Sequence, residues 1–470
     1  MNQKTQSPRP LPASTDASPP RPLRPVVSAV LPKGTLVELV FDPVKKSAGL
    51  AVWDGHKVHV VSQLPDGPDR LVPAREAEAL ARHRVVKFAS GTESYGETED
   101  LLAAIRSHIH RYVDLPAAFE RLAALYVLMT WVHDRFEELP YLRRRGEFGT
   151  GKTRFLITLG NLCYKPIFAA GASTVSPLFH LIDRIGGTLI LDEADFRFSD
   201  EHALIAKILN NGNVRGFPVL RSESPNGRDF RPRAFEVFGP KIAAMRGRYD
   251  DPALESRFLT ETASGAAPRA DIPINLPPDQ EAAAQRLRNR LLLWRFHNHG
   301  TITARQEERL DRFEPRLRQI LTPLLRVAAE EEDIEAILIH AEAVETGLKE
   351  TRGQSVEAEV LTVTRCLLDA TETAGASVQT IARLHGKVFL GDAARAMNAR
   401  SMGHILRVRL NLPTRKSHGV FIVPREAGAA LAALCARYGV TKEDAERLSA
   451  AAGLETRVDY GDEGDVAKAA

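Results

Sequence analysis

The sequence predicts an α/β fold: a three-layer domain with a helical lid, preceded by a small β-rich domain and followed by a compact helix–strand module. Three observations predict it. Residues 146–153 read Gly-Glu-Phe-Gly-Thr-Gly-Lys-Thr, a glycine-rich loop between a short strand and a helix. Residues 187–191 read Gly-Thr-Leu-Ile-Leu, a buried-strand pattern that ends in Asp192-Glu193-Ala194-Asp195. Residues 35–64 are instead rich in β-branched and apolar runs broken by turn signals.

The 470 residues suit about two to four domains. Hydrophobic content of 44% and charged content of 26% are those of an ordinary soluble chain. A net charge of only +3 means that any nucleic-acid surface must be local. Cys163, Cys366 and Cys435 are too far apart for a disulfide framework or a zinc site, which fits a reducing cytoplasm. The longest apolar run, 122–132, is shorter than the roughly 20 residues of a membrane span. The N-terminus has no apolar signal segment, so neither membrane insertion nor secretion is expected.

Residues 1–34 carry Pro8, Pro10, Pro12, Pro19, Pro20, Pro22, Pro25 and Pro32 among small polar residues and read as a disordered tail. Residues 35–95 read as the small β-rich domain, with strands at 35–44, 47–53 and 57–64, a hairpin turn at Asp54-Gly55, and a further strand at 84–89. Residues 96–140 read as a helical flank. Thr98 is taken as an N-cap with Glu99 and Asp100 in the first turn, and Asp114-Leu-Pro116 opens a second, apolar helix.

The central domain, 141–350, begins with a strand at 141–145 that feeds the loop. The loop fits G-x-x-x-x-G-K-[ST], which cradles nucleotide phosphates. Gly146, Gly149, Thr150 and Gly151 let backbone N–H groups turn inward, and a helix starting at Lys152 points its positive end at the phosphates. Lys152 is predicted to reach the β- and γ-phosphates of ATP, and the Thr153 hydroxyl to hold Mg²⁺. Asp192 is predicted to act on Mg²⁺, directly or through a water, and Glu193 to polarise the attacking water. The motifs lie 40 residues apart, with one strand expected between them, an order that separates additional-strand ATPases from simple nucleotide kinases.

On these residues, with Leu254-Glu-Ser-Arg-Phe258, the stretch 115–325 resembles the AAA+ ATPases of phage and mobile-element replication proteins, helicase-like proteins related in layout to minichromosome-maintenance helicases. The resemblance implies a ring, usually a hexamer, with ATP bound between subunits. It implies that Arg257 is an arginine finger for the neighbouring subunit's γ-phosphate, and that Arg316, beside the lid helix at 317–327, is a second sensor. Two features depart from the pattern. Met245-Arg246 stands where the compared helicases often have a polar Asn, and Arg143-Arg144-Arg145 fills a strand that is normally apolar. The triplet predicts partial exposure, or a face toward a partner or nucleic acid.

Residues 217–223 and 228–236 read as two strands joined by Ser224-Pro225-Asn226-Gly227. From 215 to 248 there are eight Lys/Arg against three acids, a local excess of +5. The resemblance places such a hairpin in a ring's pore, where Arg221, Arg228, Arg231 and Arg233 would track a single strand's phosphates without reading bases. A solvated ribbon is the alternative.

Residues 270–350 read as helical, with a linker at 353–355. Residues 356–440 look like a winged helix: helices at 356–374 and 378–385, a recognition helix at 393–408, and a wing at 414–419. Six Lys/Arg and no acid lie between 400 and 425, and Arg400, Arg407, Arg409, Arg415 and Lys416 are the predicted contacts to duplex DNA, although such modules also bind proteins. Residues 441–470 read as a partly disordered tail.

The combined expectation is a ring-forming, ATP- and Mg²⁺-dependent DNA helicase or translocase acting in replication of a mobile element or phage. The alternative is an ATP-switched DNA-binding regulator or defence scaffold that does not translocate.

Overall fold

The computed structural model describes residues 22–452 apart from 170–174, 193–199, 224–230, 250, 305, 371–372 and 392–395. The chain divides into two compact units between His340 and Ala341. The boundaries expected near 95 and 140 fall inside the first.

Strands β1 (Leu23–Val26) and β2 (Ser28–Val30) lie within the stretch read as a tail, which corrects that reading for 23–30. β3 (Leu36–Asp42), β4 (Ser47–Trp53) and β5 (Val58–Val61) join β2 in the antiparallel order β2-β3-β4-β5. β6 (Leu64–Asp66) and β7 (Asp69–Pro73) form a hairpin, and β1 pairs with β7 at the edge of the order β1-β7-β6. An edge strand tolerates the proline at 25. Helix α1 (Arg75–Arg82) follows. The strand expected at 84–89 is a single bridge from Val86 to Ile167.

Helices α2 (Thr98–Tyr112) and α3 (Ala117–Thr130) form the flank. The N-cap of α2 is Glu97 rather than Thr98. Its side chain accepts from the third helical N–H, while Asp100 Oδ2 accepts from Glu97 N at 3.2 Å, a reciprocal capping box.

The central layer then runs through β8 (Tyr141–Arg145), α4 (Lys152–Gly160), β9 (Ile167–Ala169), α5 (Val175–Ile185), β10 (Leu189–Leu191), α6 (Asp200–Asn211), β11 (Val219–Glu223), β12 (Arg231–Phe235), β13 (Lys241–Met245), α7 (Pro252–Glu255) and β14 (Phe258–Thr262). Five strands form an all-parallel sheet in the order β14-β8-β13-β10-β9. The strand that separates the two motif-bearing strands in space is therefore β13, from later in the chain. β9, which intervenes in sequence, lies at the edge. Parallel strands are covered on both faces, and every residue of β10 and β13 is buried.

Helices α8 (Asp279–Asn298), α9 (Pro315–Val327) and α10 (Glu331–Gly353) complete the helical layers. α9, expected as a lid, packs against α3. The linker expected at 353–355 is not where the units divide, because that division falls within α10.

A buried ionic network joins the first β layer to the parallel sheet. Glu38 on β3 accepts from Tyr164 Oη, Lys165 Nζ and Arg295 Nε, each at 2.8 Å. Arg295 on α8 also holds both oxygens of Asp134 at 2.8 Å, and His299 Nε2 lies 2.9 Å from Asp134 Oδ2.

The second unit holds α11 (Val356–Ala370), β15 (Gly375–Ser377), α12 (Val378–Phe389), α13 (Ala399–His404), a π-helical turn over Ile405–Arg409, β16 (Arg415–Ser417), β17 (Val420–Pro424), α14 (Gly428–Tyr438) and α15 (Lys442–Ala452). Its antiparallel sheet has the order β15-β17-β16. Of the expected recognition helix, 393–395 lie outside the described residues. The described helix starts at Ala399, where Asn398 Oδ1 accepts from Ser401 N at 2.8 Å.

Candidate functional site

From Arg145 the chain turns through the glycine-rich loop into α4. Gly149 and Gly151 have φ of +78° and +76°, left-handed values that favour glycine. Gly146 is required for space, since a Cβ there would meet Thr150 Oγ1 at 2.7 Å. Thr150 Oγ1 donates to Glu147 O at 2.8 Å. Lys152 is the first residue of α4, so the unpaired N–H groups of that helix open into the loop. Its Nζ donates to Gly146 O and Glu147 O, both at 2.7 Å, which folds the cation over the loop.

β10 delivers Asp192 to the same edge of the sheet. Thr153 Oγ1 donates to Asp192 Oδ2 at 2.9 Å, so the two motifs meet in space. A hydroxyl beside a carboxylate is the hard-oxygen set that suits Mg²⁺ completed by waters and phosphate oxygens. Among the described residues no cluster of three or more His, Cys, Asp or Glu converges on a metal position. Glu193 and Asp195 lie outside the described residues.

The arginine triplet is not a surface feature. Arg143 is 1% exposed on a strand second from the sheet edge. Its Nη1 donates to Glu255 Oε2 at 2.7 Å, its Nη2 to Glu255 Oε1, and its Nε to Thr260 Oγ1 at 3.0 Å. Arg144 is also buried, and its Nη1 donates to Asp114 O at 3.0 Å. Only Arg145 is partly open, with Nη2 on Thr262 Oγ1 at 3.1 Å. The expectation of an exposed or partner-facing strand is corrected: Arg143 and Arg144 are buried within the fold, and the Arg143 charge is answered by Glu255.

A cavity of about 730 Å³ opens beside the loop, lined among others by Tyr112, Asp114, Arg144, Gly151, Arg154 and Glu261. Tyr112 Oη and Arg144 Nε are buried there without a hydrogen-bond partner among the described residues. Burial pushes the Glu261 carboxyl up, against the pull of Arg144 directly across the sheet. Arg154 donates to the carbonyls of Pro273 and Ile274, which fastens that segment over the cavity.

Arg257 and Arg316 lie at the other end of β8. Tyr141 N, at the start of the strand, donates to Arg257 O at 2.8 Å, and Arg257 Nη1 donates to Asn210 Oδ1. Arg316 Nη1 donates to Glu138 Oε2 at 3.4 Å. Neither makes a hydrogen bond or ion pair to the phosphate loop among the described residues: Arg257 turns to Asn210 and Arg316 to Glu138.

The charge excess of 215–248 is largely consumed within the fold. Lys241 is fully buried and caps the carbonyls of Gly212, Val237 and Gly239 at 2.9–3.1 Å. Arg215 caps Asp134 O and Phe136 O at 3.1 Å. In the β11–β12 ribbon, Arg221 pairs in register with Arg233. Arg221 stacks on Phe179, and Arg233 bonds Asp183 and Glu223 at 3.2 and 3.3 Å. Both face α5, while Leu220, Ser222, Pro232 and Ala234 form the exposed face. Arg231 is exposed, and Arg228 lies outside the described residues.

In the second unit Arg400 and Lys416 are exposed, Arg407 stacks on Phe421 at 5.4 Å, Arg409 pairs with Glu357, and Arg415 lies 3.4 Å from Glu426.

No family model matches the chain, and a search of curated proteins finds no match. Among solved structures, the apo C-terminal region of NrS-1 aligns at 12% identity and TM-score 0.37, covering 83% of this chain and 96% of that one. Inhibitor-bound JCV helicase aligns at 15% identity and TM-score 0.25, covering 53% and 61%. The Aeropyrum pernix ORC1 protein in complex with DNA aligns at 16% identity and TM-score 0.22, covering 70% and 95%. Likeness at this level assigns neither fold nor function. No helix among the described residues is long and apolar enough to cross a membrane.

Proposed function

We propose that the chain is an AAA+ ATPase that works on DNA as a ring, a helicase or translocase of a mobile-element or phage replication system. The observation that carries the ATPase part is the 2.9 Å contact of Thr153 with Asp192, beside a loop whose glycines and helix start are built around an anion. On ATP binding, Lys152 would exchange the carbonyls of Gly146 and Glu147 for the β- and γ-phosphates. Thr153 and Asp192 would hold Mg²⁺, which supplies charge neutralisation at those oxygens. Base and ribose would enter the cavity lined by Tyr112, Asp114 and Glu261. Glu193 would align the attacking water.

Arg257 sits at the far end of β8 and would serve the γ-phosphate of a neighbouring copy, with Arg316 beside it; this supports a homo-oligomer, a hexamer on the resemblance. Arg231 on the ribbon, together with Arg228, would follow a single strand, and Arg400, Arg407 and Lys416 of a winged-helix second unit would meet duplex phosphates. One observation favours the second reading, an ATP-switched DNA-binding regulator: Arg221 and Arg233 are engaged within their own subunit. ATPase assays with and without single-stranded DNA test the proposal. Several-fold stimulation supports the motor; hydrolysis indifferent to DNA, with no separation of a forked duplex, overturns it.

A further inference from the structure

The cavity beside the glycine-rich loop carries polar groups that the fold leaves unanswered. Arg143 and Arg145 bond Thr260 and Thr262 on one face of the sheet, so strand alternation turns Arg144 and Glu261 to the other face. These two stand opposite one another in register on β8 and β14, and both line the cavity. Arg144 is buried; its Nη1 reaches only the neutral carbonyl of Asp114, and its Nε has no acceptor among the described residues. Tyr112 Oη, on a fully buried side chain, is likewise unpartnered there. The Glu261 carboxyl accepts no hydrogen bond among the described residues, and burial pushes its pKa up against the pull of Arg144. A buried donor and a buried acceptor left open side by side are costly unless a ligand answers them. Gly149, Thr150 and Gly151 of the loop line the same space, so the ligand that fits is the part of a nucleotide beyond its phosphates.

We propose that Glu261 and Arg144 select adenine: Glu261 accepts from the 6-amino group of the base, and Arg144 Nε donates to the ring nitrogen beside it. This rests on the ATP-site reading above. Adenine offers a donor next to an acceptor, which is the complement of this pair. Hypoxanthine and guanine carry an oxygen in place of the amine, which would set a second acceptor against the Glu261 carboxylate. A site built to bond a substrate N–H rejects the analogue that lacks it far more strongly than an apolar pocket rejects a misfit. The phosphate loop and Lys152 meet only groups that all nucleoside triphosphates share, so choice of base has to come from this cavity.

The test measures binding of four diphosphates to the full chain with Mg²⁺: ADP, IDP, GDP and purine riboside diphosphate, which has only hydrogen in place of the amine. Wild-type protein is expected to bind ADP about tenfold or more tightly than IDP or GDP. Glu261→Ala is expected to lose about tenfold for ADP while the unsubstituted purine stays within about twofold, which also reports an intact site. Glu261→Gln, whose amide N–H can meet an oxygen, is expected to narrow the ratio of ADP to IDP by gaining affinity for IDP. Wild-type affinity for IDP or GDP equal to that for ADP overturns the inference while leaving the nucleotide site standing. So does an unchanged ratio in Glu261→Gln, or a Glu261→Ala loss that is absent for ADP or equal for the unsubstituted purine. Wild-type protein that binds none of the four, nor ATP, overturns the site itself, and this inference with it.

Discussion

Arg143 and Glu255 are joined through both terminal guanidinium nitrogens and both carboxylate oxygens across 112 positions of sequence. Glu255 lies two residues before Arg257, so the pair also ties the segment carrying that arginine to the strand that feeds the phosphate loop. Glu255→Ala would leave a fully buried guanidinium without its counter-ion. The expected cost is about 3–5 kcal/mol in urea unfolding, with Glu255→Gln costing less. A Glu255→Ala variant as stable as wild type would show that the pair does not hold the sheet.

The phosphate site gives a graded set. Lys152→Ala should lower kcat for ATP about a hundredfold or more, because its cation acts where charge develops in the transition state. Thr153→Ala and Asp192→Asn should raise the Mg²⁺ concentration needed for half-maximal activity, and excess Mg²⁺ should restore part of the rate. Steady-state hydrolysis across a Mg²⁺ titration checks both. An unchanged Mg²⁺ requirement in Asp192→Asn would remove Asp192 from the metal.

Stability should fall in acid in two stages. Burial holds His108 and His133 down to about 4 from 6.5. The unfolded chain then binds more protons than the folded one between those values, so stability is full above pH 6.5 and declines as pH falls through the window. At Glu38 burial pushes the pKa up, but Lys165 and Arg295 outweigh it and hold the carboxylate below its ordinary 4.5. Its contribution is present above 4.5 and is lost as pH drops below that. Tm measured from pH 7.5 to 3.5 should decline gently and then steeply. His108→Leu should flatten the upper limb, and Glu38→Gln the lower one, with a lower Tm at pH 7. A pH-independent Tm down to 4 would contradict the assignment.

The two ribbon arginines should part company. Arg231→Ala should weaken single-stranded DNA binding and lower the salt slope by about one, with folding unaffected. Arg233→Ala should instead loosen the ribbon from α5, seen as faster hydrogen exchange over β11 and β12. Equal effects on both readouts would mean that the exposed Arg231 and the α5-anchored Arg233, which share one face of the ribbon, do not have distinct roles.

What the sequence made legible was local chemistry. A phosphate loop needs its residue types within eight positions, and an acid after a buried strand needs no distant partner to be recognised. The rest depends on tertiary neighbours. Nothing near Arg143 announces Glu255, so a triple arginine reads as surface. β1 and β2 pass for a proline-rich tail because β1 pairs with β7, some 47 positions on. Counting charge from 215 to 248 could not show that Lys241 is a buried cap. One signal was available and unused: strand alternation puts Arg221 and Arg233 on the same face as Val219 and Phe235, the face that must be buried.

The Glu38 carboxylate has a consequence for how this chain could be inherited or trimmed. A protein cut to start at residue 96 would keep Lys165 and Arg295 in the interior with only Asp134 between them, two cations to one anion where the whole molecule has balance. The first β layer is thus no detachable cassette. Exchanging it for another would demand matching changes at 134, 164, 165 and 295 in the same step, so descendants should carry these positions together or lose them together.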